Sequence, residues 1–379
     1  MFNEETLTGL RGIGLAPAMA RQAELRLLGH GGNGDDGAPL AAAAHPALMR
    51  VAEVQREGLT LHDGRHEHAA RMLPALRAAL AAEADALAVG DWVFATRNAF
   101  GEWWVHERLP PLSQLARRLH DGRDKVERVV IVSNADTAML VMGLDHDFNL
   151  RRLERYVALV RMAGVTPLVV LTKADLCADA ALVAARQAAA QALLPAGAVA
   201  VALSALGEEP QRLLAPWLGS GQTVVMLGSS GAGKSTLTNA LVGHAVQRTG
   251  AARAGDGRGR HTTTARVLHR AAAGGCIIDT PGLRTLRLDG DAQALEQVFD
   301  DIAERALQCR FRDCRHESEP GCAVRGAVSD ERLRNWGKLQ REARRDTQTA
   351  LQRKAEVAVW KARARGAKSR MAAKRGEGG

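Results

Sequence analysis

No stretch of this chain approaches the ~20 uninterrupted apolar residues that a membrane-spanning helix requires, so an integral helical membrane protein is not expected. The first ten residues carry Glu4 and Glu5 and lack the basic-then-apolar layout of a secretory signal, which gives a cytoplasmic location as the expectation. Cysteine is scarce as well. Of only five, Cys309, Cys314 and Cys322 fall close together, a grouping that suits a metal site in a reducing compartment better than a disulfide framework. Internal repeats are also absent, which removes solenoids and propellers from consideration.

What is present is a chain of 379 residues, more than one hydrophobic core usually organises, so two or three domains are expected. Hydrophobic residues at 46% and charged residues at 25% fit a folded globular protein. The net charge of +9 points to a polyanionic partner, because Lys and Arg release counterions from a phosphate backbone. The excess is concentrated. Residues 353–375 carry nine Lys or Arg against the single acid Glu356, and residues 351–379 therefore read as a basic tail that faces nucleic acid.

Residues 1–47 read as a flexible leader, on the strength of a Gly/Asp-rich stretch followed by alanines at 29–45. Residues 48–120 contain short alternating segments (51–54, 58–62, 91–96, 103–106) separated by Gly, Asp and Asn, which suggests an OB-like β-barrel with a helical insertion at 69–88. Residues 121–290 alternate apolar strand-like runs (129–132, 167–171, 198–203, 223–227, 265–269, 276–278) with helical segments, the signature of an α/β domain with a sheet buried on both faces. Residues 291–350 look helical around the cysteine cluster.

Gly228-Ser-Ser-Gly-Ala-Gly-Lys-Ser235 matches the phosphate-binding loop G-x-x-x-x-G-K-[ST] and follows an apolar strand. Its backbone N–H groups, from Gly228 through Ser229, Ser230, Gly231, Ala232 and Gly233, can cradle phosphates. Lys234 can reach the β- and γ-phosphates, and Ser235, followed by Thr236, can ligate Mg²⁺. In Cys276-Ile-Ile-Asp-Thr-Pro-Gly282, Asp279 is placed to hold Mg²⁺ through water and Gly282 to offer its N–H to the γ-phosphate. Between them lies Gly259-Arg-His-Thr-Thr-Thr264, where Thr263, or Thr262 beside it, supplies a further Mg²⁺ hydroxyl.

The base is chosen elsewhere. Thr172-Lys173-Ala174-Asp175 ends a strand and resembles the [NT]-K-x-D guanine motif. Asp175 can accept the N1–H and exocyclic amine of guanine, donors that adenine does not present, while the stem of Lys173 covers the base. Ser204 and Ala205, after the next strand, resemble the loop that offers a backbone N–H to guanine O6. Thus the GTPase motifs are all present, but the guanine motif precedes the phosphate loop. A doubly wound sheet tolerates that order, since its site is assembled from loops at the carboxyl ends of strands.

Cys309-x₄-Cys314-x-His316-x₅-Cys322 brings three thiolates and an imidazole close enough for a closed tetrahedral Zn²⁺ shell with no position left for catalysis. Cys177 and Cys276 stand apart and read as buried apolar residues. Trp92, Trp103 and Trp104 suit barrel packing at least as well as base stacking, and His62, His66 and His68 read as solvated loop histidines rather than a metal cluster.

From residue 50 to 336 the chain resembles the RsgA family, also called YjeQ: circularly permuted GTPases that act on the small ribosomal subunit. The resemblance extends to the zinc-ligand spacing. It implies GTP hydrolysis coupled to late maturation of the small (30S) subunit, with the barrel and zinc domain holding ribosomal RNA; nothing in the sequence indicates an oligomer, so a monomer is expected. It also implies that Leu283, in the place where many GTPases carry a water-orienting glutamine, is characteristic, and that His261 takes over that role. Thr172 departs from the commoner asparagine. The alternatives are a nucleotide-gated RNA-binding scaffold with negligible turnover, which Leu283 would suit, and a metabolic P-loop kinase, which would need neither guanine motif nor zinc.

Overall fold

The structure, a computed structural model, describes residues 2–30, 46–120, 126–247, 266–280, 295 and 299–347. Among them no helix is long and apolar enough to cross a membrane. The chain divides into two compact units, Met1–Arg117 with Arg128–Arg287, and Arg118–Glu127 with Leu288–Gly379.

In the first unit, residues 4–30, which the sequence reading placed in a flexible leader, form two helices, α1 (Glu4–Arg11) and α2 (Pro17–His30). Asn3 caps α1 by accepting from Thr6 N at 2.8 Å, and Glu4 and Glu5 sit favourably in its positive first turn. Leu10, Ile13, Leu15, Met19 and Ala23 are buried, which stabilises the pair by roughly 1.5–3 kcal/mol per large side chain. The Gly/Asp-rich segment at 31–45 lies outside the described residues.

Five strands follow: β1 (Ala47–Val54), β2 (Leu59–His62), β3 (Glu67–Met72), β4 (Trp92–Arg97) and β5 (Trp103–Arg108). Their pairing order β1-β2-β3-β5-β4 closes when β4 returns to β1, with Ala47 opposite Ala95 and Arg50 opposite Trp92. The barrel was therefore anticipated, and the helical insertion expected at 69–88 is present but shorter. Its first residues belong to β3, and only Pro74–Ala82 is helical (α3), with proline at the first turn where its missing N–H costs nothing. Leu80 and Leu76 of α3, in the β3–β4 connection, pack with Met49, Val51, Leu61, Val93 and Val105 in the barrel core.

β6 (Gln114–His120) and β7 (Val126–Ser133) form a separate two-stranded sheet. The apolar run 129–132, expected in the α/β sheet, lies in β7 instead. The strand that enters the sheet is the next one, β8 (Thr137–Gly143), all seven residues of which are buried. It is followed by α4 (Leu150–Met162), β9 (Thr166–Thr172), α5 (Ala180–Gln191), β10 (Val199–Ala202), α6 (Glu209–Leu214), β11 (Thr223–Gly228), α7 (Lys234–Val242), β12 (Val267–Arg270) and β13 (Cys276–Asp279).

Strands β10, β9, β8, β11 and β13 are mutually parallel in that order, with β12 antiparallel at the edge of β13 and joined to β1 at Val267 opposite Glu53. Barrel and α/β domain thus share one continuous eleven-stranded sheet. Met139, Val141, Leu168, Val170, Val224, Met226 and Ile277 pack from it against Leu237 and Leu241 of α7 and Leu214 of α6.

In the second unit, α8 (Asp300–Ala306) and α9 (Asp330–Thr347) flank the cysteine-rich segment in chain order. Arg332 of α9 reaches Asp301 of α8 with Nε at 2.9 Å from Oδ2 and Nη2 at 2.8 Å from Oδ1, a fork that fixes the helix pair.

Candidate nucleotide site and metal centre

Because five neighbouring strands run the same way, their carboxyl ends lie along one edge, and the registers set the loops side by side. Gly228 is opposite Val141, Gly143 opposite Thr172, Leu171 opposite Ala202, and Met226 opposite Asp279. The phosphate loop, the guanine motif, the Ser204-Ala205 loop and Asp279 therefore converge although the chain visits them out of the usual order. Chain order reverses between β8 and β11, the crevice where open α/β sheets bind ligands.

The phosphate loop turns from β11 into α7 through Gly231 (φ +83°) and Gly233 (φ +94°), backbone shapes that L side chains rarely adopt. Lys234 is buried, and its Nζ donates to the carbonyls of Gly228 at 2.9 Å and Ser229 at 2.7 Å. Burial lowers its pKa, opposed by the carboxylates of Asp279 and Asp147. An ammonium so placed at the head of a ring of N–H groups is a phosphate receptor.

The guanine motif is fastened to this loop. Thr172 Oγ1 donates to Ala232 O at 2.6 Å, and a Cβ at Gly233 would meet that hydroxyl at 3.2 Å. The threonine that departs from the usual asparagine thereby ties the end of β9 to the phosphate loop. Lys173 follows with a left-handed backbone (φ 64°), which turns the chain into the short 3₁₀ helix Ala174–Leu176. Asp175 is exposed there. Discrimination against adenine would thus come from desolvation by the base itself, not from a carboxylate already buried.

Ala174 N donates to Leu203 O at 3.3 Å, Ser204 N to Glu209 Oε2 at 3.0 Å, and Leu206 N to Ser204 Oγ at 3.2 Å. Ala205 is buried beside them.

Ser235 and Asp279 also meet through an intermediary. Gln247 accepts from Ser235 Oγ at 3.1 Å and donates through Nε2 to Asp279 Oδ2. Asp279 is buried, its Oδ1 has no hydrogen-bond partner among the described residues, and burial pushes its pKa up to about 6 despite Lys234 nearby. A buried carboxylate oxygen left open beside a serine hydroxyl fits a hard divalent cation such as Mg²⁺. His261, Thr262, Thr263, Gly282 and Leu283 lie outside the described residues.

Three features of this site were missed in the sequence: Gln247, Asp145 and Asp147. The last two follow β8 and contact the guanine motif and the phosphate loop, with Lys173 Nζ at 2.8 Å from Asp145 Oδ2 and Ser229 Oγ at 2.6 Å from Asp147 Oδ1. An Asp-x-Asp pair directly after an apolar strand was the available signal.

In the second unit, the ligand atoms of Cys309, Cys314, His316 and Cys322 all lie within 4.8 Å of one another. His316 Nδ1 is 3.6 Å from Cys309 Sγ and 3.4 Å from Cys322 Sγ, and the two sulfurs are 4.0 Å apart. His316 is buried against Trp336, with ring centroids 5.5 Å apart. Such a donor set could hold a metal ion.

The other sequence readings fare unevenly. Cys276 is fully buried as expected, whereas Cys177, in the loop after the guanine motif, is only half-buried. Trp92 is core, while Trp103 and Trp104 are half-exposed on β5 under Arg97 and Arg71. Of the three histidines only His66 is an exposed loop residue. His62 ends β2 and is buried, its Nδ1 accepting from Gly64 N at 3.0 Å, and His68 on β3, opposite Leu61, meets Asp63 of the connecting turn at 2.7 Å.

Comparison with known proteins agrees with this geometry. The RsgA GTPase family matches residues 110–289. Curated proteins named small ribosomal subunit biogenesis GTPase RsgA are similar. That of Xylella fastidiosa (strain 9a5c) is 47% identical over 261 residues, covering 67% of this chain and 73% of its own. That of Xanthomonas campestris pv. campestris (strain B100) is 41% identical over 310 residues, covering 79% and 82%. Among solved structures, YjeQ from Thermotoga maritima aligns with a TM-score of 0.56 at 22% identity, covering 79% of this chain and 99% of its own. YloQ, a circularly permuted GTPase, aligns with a TM-score of 0.57 at 24% identity, covering 82% and 99%. Sharing its motifs, its displaced motif order and its fold, this GTP-hydrolysing chain belongs to the RsgA GTPase family.

Proposed function

We propose that this GTPase couples GTP hydrolysis to late maturation of the small (30S) ribosomal subunit, binding its RNA through the barrel, the metal-bearing unit and the basic tail. The observation that carries the nucleotide half is the convergence of Lys234, Thr172 and Ser204 at the carboxyl edge of one parallel sheet. The partner is carried by relatives 41–47% identical that are named small ribosomal subunit biogenesis GTPases. A net charge of +9 and the half-exposed Trp103 and Trp104, each beneath an arginine, suit RNA.

In this reading Asp175 accepts from the guanine edge, Lys173 covers the base, and Ser204 and Ala205 border O6. The loop from Gly228 to Thr236 cradles the phosphates, and Lys234 neutralises charge that builds on the transferring phosphoryl group as water attacks. Ser235 and Asp279 would hold Mg²⁺, with Thr263 completing its shell, and Mg²⁺ would supply charge neutralisation across the β- and γ-phosphates. Gly282 would donate to the γ-phosphate and His261 would orient the attacking water. Cys309, Cys314, His316 and Cys322 would hold one structural Zn²⁺, which adds folding free energy to a segment, residues 309–322, with few apolar residues of its own. The protein would act as a monomer in the cytoplasm.

The test is GTP turnover at stated salt concentration with and without purified small or large subunits, together with co-sedimentation in GDP or a non-hydrolysable GTP analogue. Selective, GTP-dependent binding to the small subunit with faster turnover is expected. Equal binding to both subunits in both nucleotide states, with unchanged turnover, would leave only nonspecific electrostatic attraction.

A further inference from the structure

The segment joining β8 to α4, Gly143-Leu-Asp-His-Asp-Phe-Asn149, belongs to none of the GTPase motifs, yet it touches both ends of the nucleotide site. On the base side, Lys173 Nζ lies 2.8 Å from Asp145 Oδ2. Burial opposes ionisation of Asp145, but the hydrogen bonds from Lys173 and from Asp147 N outweigh it and hold the carboxyl below its ordinary range. On the phosphate side, Asp147 Oδ1 accepts from Ser229 Oγ at 2.6 Å and from Arg152 Nη2 at 2.6 Å, while Oδ2 accepts from Gly143 N at 3.1 Å.

The segment is itself held in place. Arg186 of α5 donates to Leu144 O and stacks over Phe148 at 5.1 Å, and Asn149 caps α4 by accepting from Arg152 N at 3.0 Å. A Cβ at Gly143 would come within 2.5 Å of Asp145 Oδ1, so a larger residue there would displace the Asp145 carboxylate. The two carboxylates thus project from one rigid turn at the sheet edge where chain order reverses.

We infer that this turn is a brace of the guanine-nucleotide site, in which Asp145 is a positioning residue acting through Lys173 and Asp147 is one acting through Ser229. The inference rests on the guanine reading of Thr172-Lys-Ala-Asp175. Anchoring its charged end holds a lysine stem in place over a base, and Asp145 supplies that anchor. Asp147 fixes the residue after Gly228, so the phosphate loop keeps its opening when empty. Because both carboxylates sit two residues apart on one turn, base and phosphate subsites are held at a set separation, and nucleotide binding pays less ordering entropy.

The experiment is equilibrium binding of a fluorescent GDP to the full chain and to Asp145→Asn, Lys173→Ala and the double variant, with Asp147→Asn, Ser229→Ala and their double as the second cycle. Each single substitution is expected to weaken GDP by on the order of 5- to 20-fold, the loss of one charge-assisted hydrogen bond. Each double is expected to bind no worse than the weaker of its two singles, because each aspartate acts only through its partner. Asp145→Glu, which keeps the charge, should recover part of the affinity. Losses that add in both doubles, or no loss in Asp145→Asn and Asp147→Asn, would overturn the brace while leaving the guanine site standing. A wild-type protein that binds GDP no better than ADP would overturn the guanine reading itself, and the brace with it.

Discussion

Arg50 has no exposed surface and makes more cross-element hydrogen bonds than any motif residue, so its removal is the sharpest test of how the first unit is held together. It stands on β1 with its guanidinium 5.1 Å over the Trp92 ring. Nε donates to Gly90 O at 3.2 Å and Nη2 to Asn134 O at 2.9 Å. Nη1 donates to Ile13 O, to Thr223 Oγ1 at 2.8 Å and to Cys276 Sγ at 3.2 Å. One side chain therefore joins the α1–α2 connection, the barrel, the start of the phosphate-loop strand and the start of the strand bearing Asp279.

In Arg50→Met, Gly90 O keeps a donor from Asn134 Nδ2 at 3.0 Å and Thr223 Oγ1 keeps Cys276 Sγ at 3.4 Å. The carbonyls of Ile13 and Asn134 lose the guanidinium, at about 1–3 kcal/mol each. Loss of the Trp92 stack adds about 0.5–2 kcal/mol. Removing a buried charge relieves part of this, so a net loss of about 3–5 kcal/mol is expected. Against a total of about 5–15 kcal/mol that is a large fraction, and at about 2–4 °C per kcal/mol it lowers the melting temperature by roughly 10 °C. Urea unfolding followed by tryptophan fluorescence reads it directly. Arg50→Lys, which keeps charge but reaches fewer acceptors, should fall between the two. A loss below about 1 kcal/mol for Arg50→Met would refute the accounting, since orphaning even one carbonyl costs that much.

Three further outcomes are expected. Asp175→Asn exchanges one acceptor for a donor and should weaken GTP while improving XTP, whose C2 carbonyl can accept; an unchanged GTP preference in competition binding would remove Asp175 from base reading. On the proposed zinc reading, Cys314→Ser should lower the metal content measured by elemental analysis and loosen the second unit to proteolysis while leaving GDP binding intact. Asp91 is fully buried beside Ala88 N (2.8 Å), and burial outweighs Arg108 to push its pKa up to about 6. The folded protein then holds this proton more tightly than the unfolded chain, so this group's contribution is most favourable below about pH 4 and declines as pH rises to about 6. Urea midpoints taken across that window should show a shallower fall in Asp91→Asn than in the wild type.

What could be read from the sequence was whatever a contiguous motif encodes. The phosphate loop, Thr172–Asp175 and the cysteine cluster each place their chemistry within a few residues, and a strand boundary one or two residues off does not change which atoms they offer. What could not be read depends on partners far along the chain. β8 was missed because the apolar run before it, at 129–132, has the same composition, and only pairing to β11 rather than β6 separates them. Helices α1 and α2 were hidden by the glycine-rich stretch after them, although Leu10, Ile13 and Leu15 are as buried as any core residue. The histidines of β2 and β3 look like a polar loop until the hairpin register buries one and pairs another with Asp63.

The same distinction explains why permutation leaves the site intact. Each motif residue needs only to leave the carboxyl end of its own strand, and five parallel strands supply those ends along one edge in whatever order the chain visits them. The contacts that span motifs are carried by one motif residue, Thr172 to Ala232, and by three side chains outside every motif: Asp145 to Lys173, Asp147 to Ser229 and Gln247 between Ser235 and Asp279. In an unpermuted chain the phosphate loop precedes the guanine motif, and here β8 and β9 come before β11, yet the Thr172 hydroxyl still closes to 2.6 Å on the loop. Sheet register, not chain order, sets that distance. A substitution at Asp145, Asp147 or Gln247 should therefore impair nucleotide binding as one in the motifs themselves would, although no motif search would single it out.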